Sequence, residues 1–252
     1  MYWQVALVVF SFMVLAFVVA LLIKDNSIVD LFWGPGFIVV TAFSLSQGPD
    51  LDMRKLVVSF LILLWGLRLA IYIFQRNRRK GEDFRYKHWR DTWNNFILRS
   101  FLQIFMLQGL FMYIISYPIW FINYNSGGAL STVDTIGLVI FGLGFMFESV
   151  SDMQLAFFKQ NPENKGKLIT TGLWKYTRHP NYFGEALVWW GIWCYALGVP
   201  GGWITVISPI VITLTLRFIS GVPMLEKSLG KKPGWEEYAR KTASFVPFIK
   251  WL

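Results

Sequence analysis

The chain has 252 residues, 55% of them hydrophobic and 15% charged, against about 25% charged in an ordinary soluble domain. That composition excludes a soluble globule, and the 18% of aromatic residues suits lipid contacts and membrane interfaces. One cysteine, Cys194, excludes an intramolecular disulfide, and two histidines, His88 and His179, are too few for a histidine metal centre, so no metal is expected.

A membrane-spanning helix needs about 20 largely apolar residues to cross about 30 Å of hydrocarbon. Seven stretches meet that need, over 3–23, 29–46, 56–74, 96–121, 133–158, 181–197 and 203–219. They predict an all-α fold, an integral membrane bundle of about seven transmembrane helices forming one polytopic domain over 1–252. The first has no basic residue before it and no small-residue cleavage pattern after it, so it reads as a retained helix and not a signal peptide. In the second, Gly34, Pro35 and Gly36 are expected either to break the helix and expose backbone to a ligand or simply to kink it. Between the third and fourth lies a long mixed loop over 76–90, in which Tyr86, Trp89 and Trp93 recur at the spacing of an interfacial helix with an aromatic face. The fifth carries Glu148, Ser151, Asp152 and Gln154 in its second half, where a lipid-facing helix would have no polar group. Pro180 favours a first helical turn, so the sixth starts there, with its positive end near Lys175 and Arg178 as a natural anion site.

Nearly all basic residues fall on one side of such a bundle: Lys24, the 76–90 loop with Arg99, the loop over 159–178 and the tail over 227–250. Only Arg54 and Lys55 fall on the other. The positive-inside rule makes the basic side cytoplasmic, with the amino terminus outside and the carboxyl terminus inside. The net charge of +9 is therefore mostly topology, and no nucleic-acid partner is expected.

Charge at membrane depth is costly and usually faces a polar cavity or a partner. Glu148 and Asp152 share a helix face, as do Asn181 and Glu185, and Arg68 and Arg217 are the only deep cations. These six groups line either a hydrated pocket open to the cytoplasm or an interhelical network, for example Glu148 or Glu185 paired with Arg217. The chain has neither a glycine-rich dinucleotide fingerprint nor a phosphate-binding P-loop, so a nucleotide would be held in another way.

The densest run, Gly172-Leu-Trp-Lys-Tyr-Thr-Arg-His-Pro-Asn-Tyr-Phe-Gly-Glu185, follows Ser151-Asp152 and precedes Gly234-Trp-Glu-Glu-Tyr238 and Phe245-Val-Pro-Phe248. Together these resemble the carboxyl-terminal half of the steroid 5-alpha-reductase family, especially its bacterial branch, over about residues 148–250. The shorter core Arg178-His179-Pro180 with Tyr182 and Gly184 is also similar to isoprenylcysteine carboxyl methyltransferases. The Asn181 and Glu185 pair leans toward the reductases.

The reductase resemblance implies a seven-helix enzyme of a bacterial inner membrane, with the lipid bilayer as its setting and NADPH as its cofactor. Such an enzyme reduces a carbon–carbon double bond conjugated to a ketone in an apolar lipid. It implies a cofactor set of Asp152, Lys159, Lys167, Tyr176, Arg178, Asn181, Glu185 and Arg217 in a half over 133–252, and a substrate side over 1–121. There Asp30 stands where the family has an acid and Trp65, in Trp65-Gly-Leu-Arg68, stands where it has a tyrosine. Asp30, Trp65 and Arg68 are thus the catalytic candidates, although an indole N–H binds a carbonyl without supplying a proton. The methyltransferase likeness implies S-adenosylmethionine instead, with Glu226 and Tyr238 in the cofactor site. A third reading is a lipid-binding or assembly protein whose polar clusters only hold helices together.

Overall fold

The computed structural model describes residues 2–78, 81–125 and 128–250. Among these, every regular element is helical, and one isolated bridge joins Thr177 to Ala243. Six helical segments are long and apolar enough to cross a membrane. They are α1 (Tyr2–Ile23), α2 (Ile28–Gln47), α3 (Met53–Asn77), α5 (Phe96–Ile115), α7 (Thr132–Gln160) and α9 (Gly202–Leu229). Three shorter helices, α4 (Phe84–Thr92), α6 (Tyr117–Tyr124) and α10 (Trp235–Lys241), and the 18-residue α8 (Pro180–Leu197) complete the chain. The protein is a multi-pass integral membrane protein.

The expected span over 96–121 is two helices, because Pro118 near the start of α6 cannot supply the backbone N–H that a continuing helix requires. The irregularity expected in α2 lies elsewhere in the chain. α2 runs unbroken through Pro35, so the three-residue break does not occur. The local irregularities are π turns, at Phe101–Met106 within α5 and at Thr215–Ile219 within α9, the second carrying Arg217. Such turns add a residue to the helical repeat and re-aim the side chains around them.

Cα packing groups the chain into two compact units, Met1–Leu130 with Tyr195–Thr205, and Ser131–Cys194 with Val206–Leu252. In the first unit α2 is central. A Cβ on Gly34 would lie 2.3 Å from the Gly66 carbonyl oxygen, so this glycine is what lets α2 and α3 meet backbone to backbone. Phe37, Ile62, Trp65, Met112 and Ile115 are fully buried around that crossing, while Leu7, Leu22, Phe60 and Ile71 point outward as lipid-facing residues do. The loop helix α4 departs from its expected place. Its aromatic face is turned onto the bundle: Tyr86 belongs to a buried cluster with Ala16, Ala20, Val29, Ile104 and Phe105, and Trp89 and Trp93 pack against it. Apolar side chains of a nine-residue helix are covered more completely by protein than by an interface.

In the second unit α7 and α8 cross on glycine. A Cβ on Gly144 would lie 2.6 Å from the Gly184 carbonyl oxygen, and one on Gly191 would lie 2.6 Å from the Phe141 nitrogen. Gly144 meets Gly184 and Phe141 meets Gly191, so the two helices run antiparallel. The tail, including α10, folds back onto the segment before α8 through Arg178 N–H to Ala243 O at 2.8 Å and Phe248 N–H to Tyr176 O at 3.3 Å.

Candidate functional site

The glycine crossing decides where the polar groups of the second unit stand. Glu148 lies one turn beyond Gly144 and Asp152 one turn beyond that, and both carboxylates are buried. Asn181 lies just before Gly184, and its amide donates to an Asp152 oxygen at 3.3 Å. The Asn181 carbonyl oxygen is buried with no hydrogen-bond partner. A buried acceptor in that state costs free energy that a donor on a ligand would recover. The wall is completed by the segment over 171–177: Trp174 donates its indole N–H to the Ser151 carbonyl at 3.2 Å, and the Gln154 side chain accepts from Leu173 N–H at 3.1 Å. Gly172 sits at φ +62°, a left-handed conformation that favours glycine, with the Gln154 side-chain amide packed beside it.

Beside this wall, Arg178 is engaged by the protein through Nε and Nη1. Its guanidinium donates to Glu226 Oε1 at 2.8 Å and to the carbonyls of Ala239 at 2.9 Å and Thr242 at 2.5 Å. The Tyr238 hydroxyl donates to Trp174 O at 2.6 Å and Thr177 Oγ1 to Phe245 O at 2.8 Å. Through these contacts Arg178 caps the end of α10 and straps the tail in place. His179 Nε2 lies 3.1 Å from the same Glu226 oxygen, its ring is stacked on Tyr182, and its Nδ1 is buried without a partner. Burial pushes His179 below the ordinary histidine range, and the attraction of Glu226 only partly offsets it. The ring is thus neutral at pH 7, with its proton on Nε2 facing the carboxylate and an accepting lone pair on Nδ1.

The first unit holds a second polar cluster. Asp30 stands in the first turn of α2, where a helix end favours a carboxylate. Its Oδ1 accepts from the Tyr86 hydroxyl at 2.9 Å, and its Oδ2 lies 3.3 Å from Arg85 and 4.0 Å from Arg76. Arg85 also pairs with Asp83 at 2.9 Å. Burial works against the Arg85 charge, but Asp83 and Asp30 outweigh it and raise its pKa. Burial, then the Asp30 charge, pushes the Tyr86 phenol well above the ordinary tyrosine range, while a hydrogen bond from Gln108 works the other way. Nearby, Glu82 ties the loop to the bundle, accepting from Asn26 N–H at 2.8 Å and pairing with Arg90 at 2.8 Å.

The remaining candidates fall as follows. Trp65 is fully buried, edge to face on Phe37 at 5.5 Å, and Arg68 lies over the Tyr72 ring at 5.6 Å. Glu185 and Arg217 are half-buried, and Arg217 lies 4.9 Å over the Phe218 ring. Lys159 and Lys167 are exposed, and Lys167 lines a surface groove with Lys165, Thr170, Pro233 and Gly234. Tyr176 is exposed and packs against Phe248 at 5.0 Å. Among the described residues no group of three or more His, Cys, Asp or Glu side chains is placed to hold a metal ion. Sequence reasoning used Tyr86 only as part of an aromatic face. The available signal was a single hydroxyl-bearing ring between charged neighbours, Arg85 and Lys87, on the face that the tryptophans bury.

The profile of a family described as proteins of unknown function (DUF1295) matches residues 16–242. An uncharacterised protein of Schizosaccharomyces pombe is 29% identical over 196 residues, 66% of this chain and 56% of that protein. A probable O-methyltransferase of Ustilaginoidea virens is 34% identical over 112 residues, 44% of this chain and 34% of that protein. The chain thus spans about half or less of the length of these relatives. No solved structure matches it.

Proposed function

From its membership of the DUF1295 family, matched over residues 16–242, and from its polar clusters, we propose that the protein is a membrane-embedded, NADPH-dependent reductase. Its substrate is the carbon–carbon double bond of an apolar enone lipid, steroid-like or isoprenoid. The observation that carries this reading is the Asp152–Asn181 pair with its buried, unpartnered amide oxygen. An amide with one donor committed to a carboxylate and an acceptor left over suits the carboxamide of a nicotinamide, which brings the missing N–H. Asp152 and Glu185 suit ribose hydroxyls, and Arg217, Lys159 and Lys167 suit phosphates. Bound there, NADPH would supply hydride, and the protein's part is to orient that group and to stabilise charge on the substrate oxygen. Asp30, with Trp65 and Arg68, is the set for that second task. The similarity to the bacterial branch of the steroid 5-alpha-reductases supports the same reading and an inner-membrane location.

A second reading is favoured by one observation, the likeness to a probable O-methyltransferase over 112 residues. It makes the second unit a site for S-adenosylmethionine, with Glu226 and His179 beside it. With Arg178 held by Glu226 and the tail carbonyls, the dinucleotide reading draws chiefly on Arg217, Lys159 and Lys167 for its cations.

A ligand that binds only the folded state raises thermal stability by mass action, about 2.7 kcal/mol at a hundredfold excess over Kd. Detergent-purified protein should be stabilised by NADPH and not by S-adenosylmethionine, and Asn181→Ala should remove that stabilisation while the protein remains monodisperse. Stabilisation by S-adenosylmethionine alone transfers the assignment to the methyltransferase, and NADPH stabilisation that survives Asn181→Ala takes this residue out of the site.

A further inference from the structure

The loop that follows α7 and the turn that follows α9 form the two walls of one groove in the second unit, with a volume of about 490 Å³. Small-molecule pockets occupy about 300–1,000 Å³. Hydrogen bonds fix both walls. The Asn164 side-chain amide donates to Phe158 O at 3.0 Å and its main-chain carbonyl accepts from Lys167 N–H at 3.0 Å, which holds the loop to the end of α7. On the other side Lys232 N–H donates to Leu229 O at 2.9 Å, and its ammonium reaches across to the Lys167 carbonyl at 2.9 Å. Lys165 and Lys167 line the groove with Thr170, and Leu168 and Pro233 give it an apolar patch. Gly166 and Gly234 also line it, with no atom within 4 Å of where a Cβ would be, so the groove is open to a ligand from outside.

Chemistry and depth select the occupant. The segments over 159–170 and 227–241 carry eight basic residues against three acidic ones, and of the acids Glu237 is paired with Lys241. Among the described residues that line the groove, none is acidic, none is aromatic and none carries a side-chain amide, so it attracts an anion without the groups that read a base or a ribose. Lipid-facing side chains continue along α7 to Phe157 and along α9 to Leu225, both exposed, so the hydrocarbon ends just short of the groove. A groove at that depth meets phospholipid headgroups. Two ammonium groups and a hydroxyl suit a phosphodiester, and Leu168 and Pro233 suit the glycerol and the first methylenes behind it. We infer that the groove between the ends of α7 and α9 binds the phosphate headgroup of an anionic phospholipid. A lipid held there joins the loop that leads to the Asp152–Asn181 wall with the turn that leads to α10, and so stabilises the second unit. Lys167 also suits a cofactor phosphate under the reductase reading, but this assignment does not rest on that reading.

The test is a thermal-stability titration of the detergent-purified full chain with dioctanoyl phosphatidylglycerol, dioctanoyl phosphatidylcholine and inorganic phosphate. Phosphatidylglycerol should raise the midpoint, and the zwitterionic lipid and inorganic phosphate at the same concentration should not. Lys165→Ala with Lys167→Ala should weaken phosphatidylglycerol binding about twenty-five-fold, about fivefold for each lysine at an anionic lipid surface. Lys165→Arg with Lys167→Arg should keep it, since the charge stays. Lys87→Ala with Lys250→Ala removes the same charge from exposed positions outside the groove and should leave binding unchanged. An equal loss in that control makes the effect a diffuse attraction and overturns the site. Protection by inorganic phosphate makes it a free-anion site, and displacement of phosphatidylglycerol by NADPH makes it a cofactor subsite; either overturns the lipid assignment, as does a wild-type protein that phosphatidylglycerol leaves unchanged. Failure of NADPH to bind at all defeats the reductase reading and leaves this one standing.

Discussion

His179 is 1% exposed, with Nε2 turned to Glu226 and Nδ1 facing no partner. Burial, the largest influence, disfavours its charged form, and the flanking cations Arg178 and Arg217 add to that, while Glu226 opposes them. The folded pKa is depressed relative to an unfolded value of 6.5. The contribution to stability is therefore present above that pH and is lost as pH falls, because the unfolded chain takes up a proton that the folded one refuses. Thermal midpoints in detergent should decline below about pH 6.5, by no more than about 1.4 kcal/mol per pH unit from this single site. His179→Gln should flatten that limb of the profile, and an unchanged profile would assign the decline to other groups. The chemical types at this scale were legible in the sequence. Asp152 and Asn181 were expected in one site and lie in contact at 3.3 Å. The commitments of each side chain were not legible: whether Arg178 meets a ligand or the Ala239 and Thr242 carbonyls depends on a tail whose return path no local pattern encodes.

At the scale of elements, glycine spacing positions the site more than hydrophobicity does. Gly144 and Gly184 let α7 and α8 touch backbone to backbone, and a Cβ on Gly184 would sit 2.5 Å from the Glu148 nitrogen. The placement of the polar groups follows from that contact, since Glu148 and Asp152 on one helix and Asn181 and Glu185 on the other are within about two turns of it. Gly184→Ala should cost about 2 kcal/mol of stability through backbone displacement and weaken cofactor stabilisation with it. Gly142, also in α7, has nothing within 4 Å of its Cβ position. Gly142→Ala should be neutral or stabilising by up to about 1 kcal/mol, and equal effects of the two substitutions would dismiss the crossing as the cause. Helix positions themselves were legible because an apolar run of about 20 residues has few alternatives. Two features were less so. The α2 glycines read as either a break or a kink, whereas Gly34 serves a close helix crossing, and α4 looked like a membrane-surface helix, whereas its aromatic face is buried in the cluster around Phe105.

For the whole molecule the open physical question is how many times the chain crosses the bilayer, since parity decides on which side each loop lies. The helix α8 is not one of the six segments apolar enough to count as a span. Asn181, Glu185 and three tryptophans lower its hydropathy, and Asn181 spends its polarity on Asp152 inside the second unit, so low hydropathy alone does not put α8 in water. Its 18 residues rise about 27 Å, close to the hydrocarbon thickness of about 30 Å, and its glycine contacts hold it antiparallel to the spanning α7. If α8 crosses, the basic loop over 161–179 and the basic tail after α9 lie on the same side, as the positive-inside rule requires. If it does not, they lie on opposite sides. The apparent exceptions at the other end of α3 do not weigh against this. Arg54 and Lys55 are both buried, Arg54 donating to the Ala129 carbonyl at 2.9 Å and Lys55 to those of Asp50 at 2.9 Å and Pro49 at 3.2 Å. In a Cys194→Ala background, Lys165→Cys and Lys250→Cys should both react with a membrane-impermeant maleimide only in inverted vesicles, and Ser131→Cys only in right-side-out vesicles. Labelling of Lys165→Cys and Lys250→Cys from opposite sides would mean that α8 does not cross and that the chain has six spans.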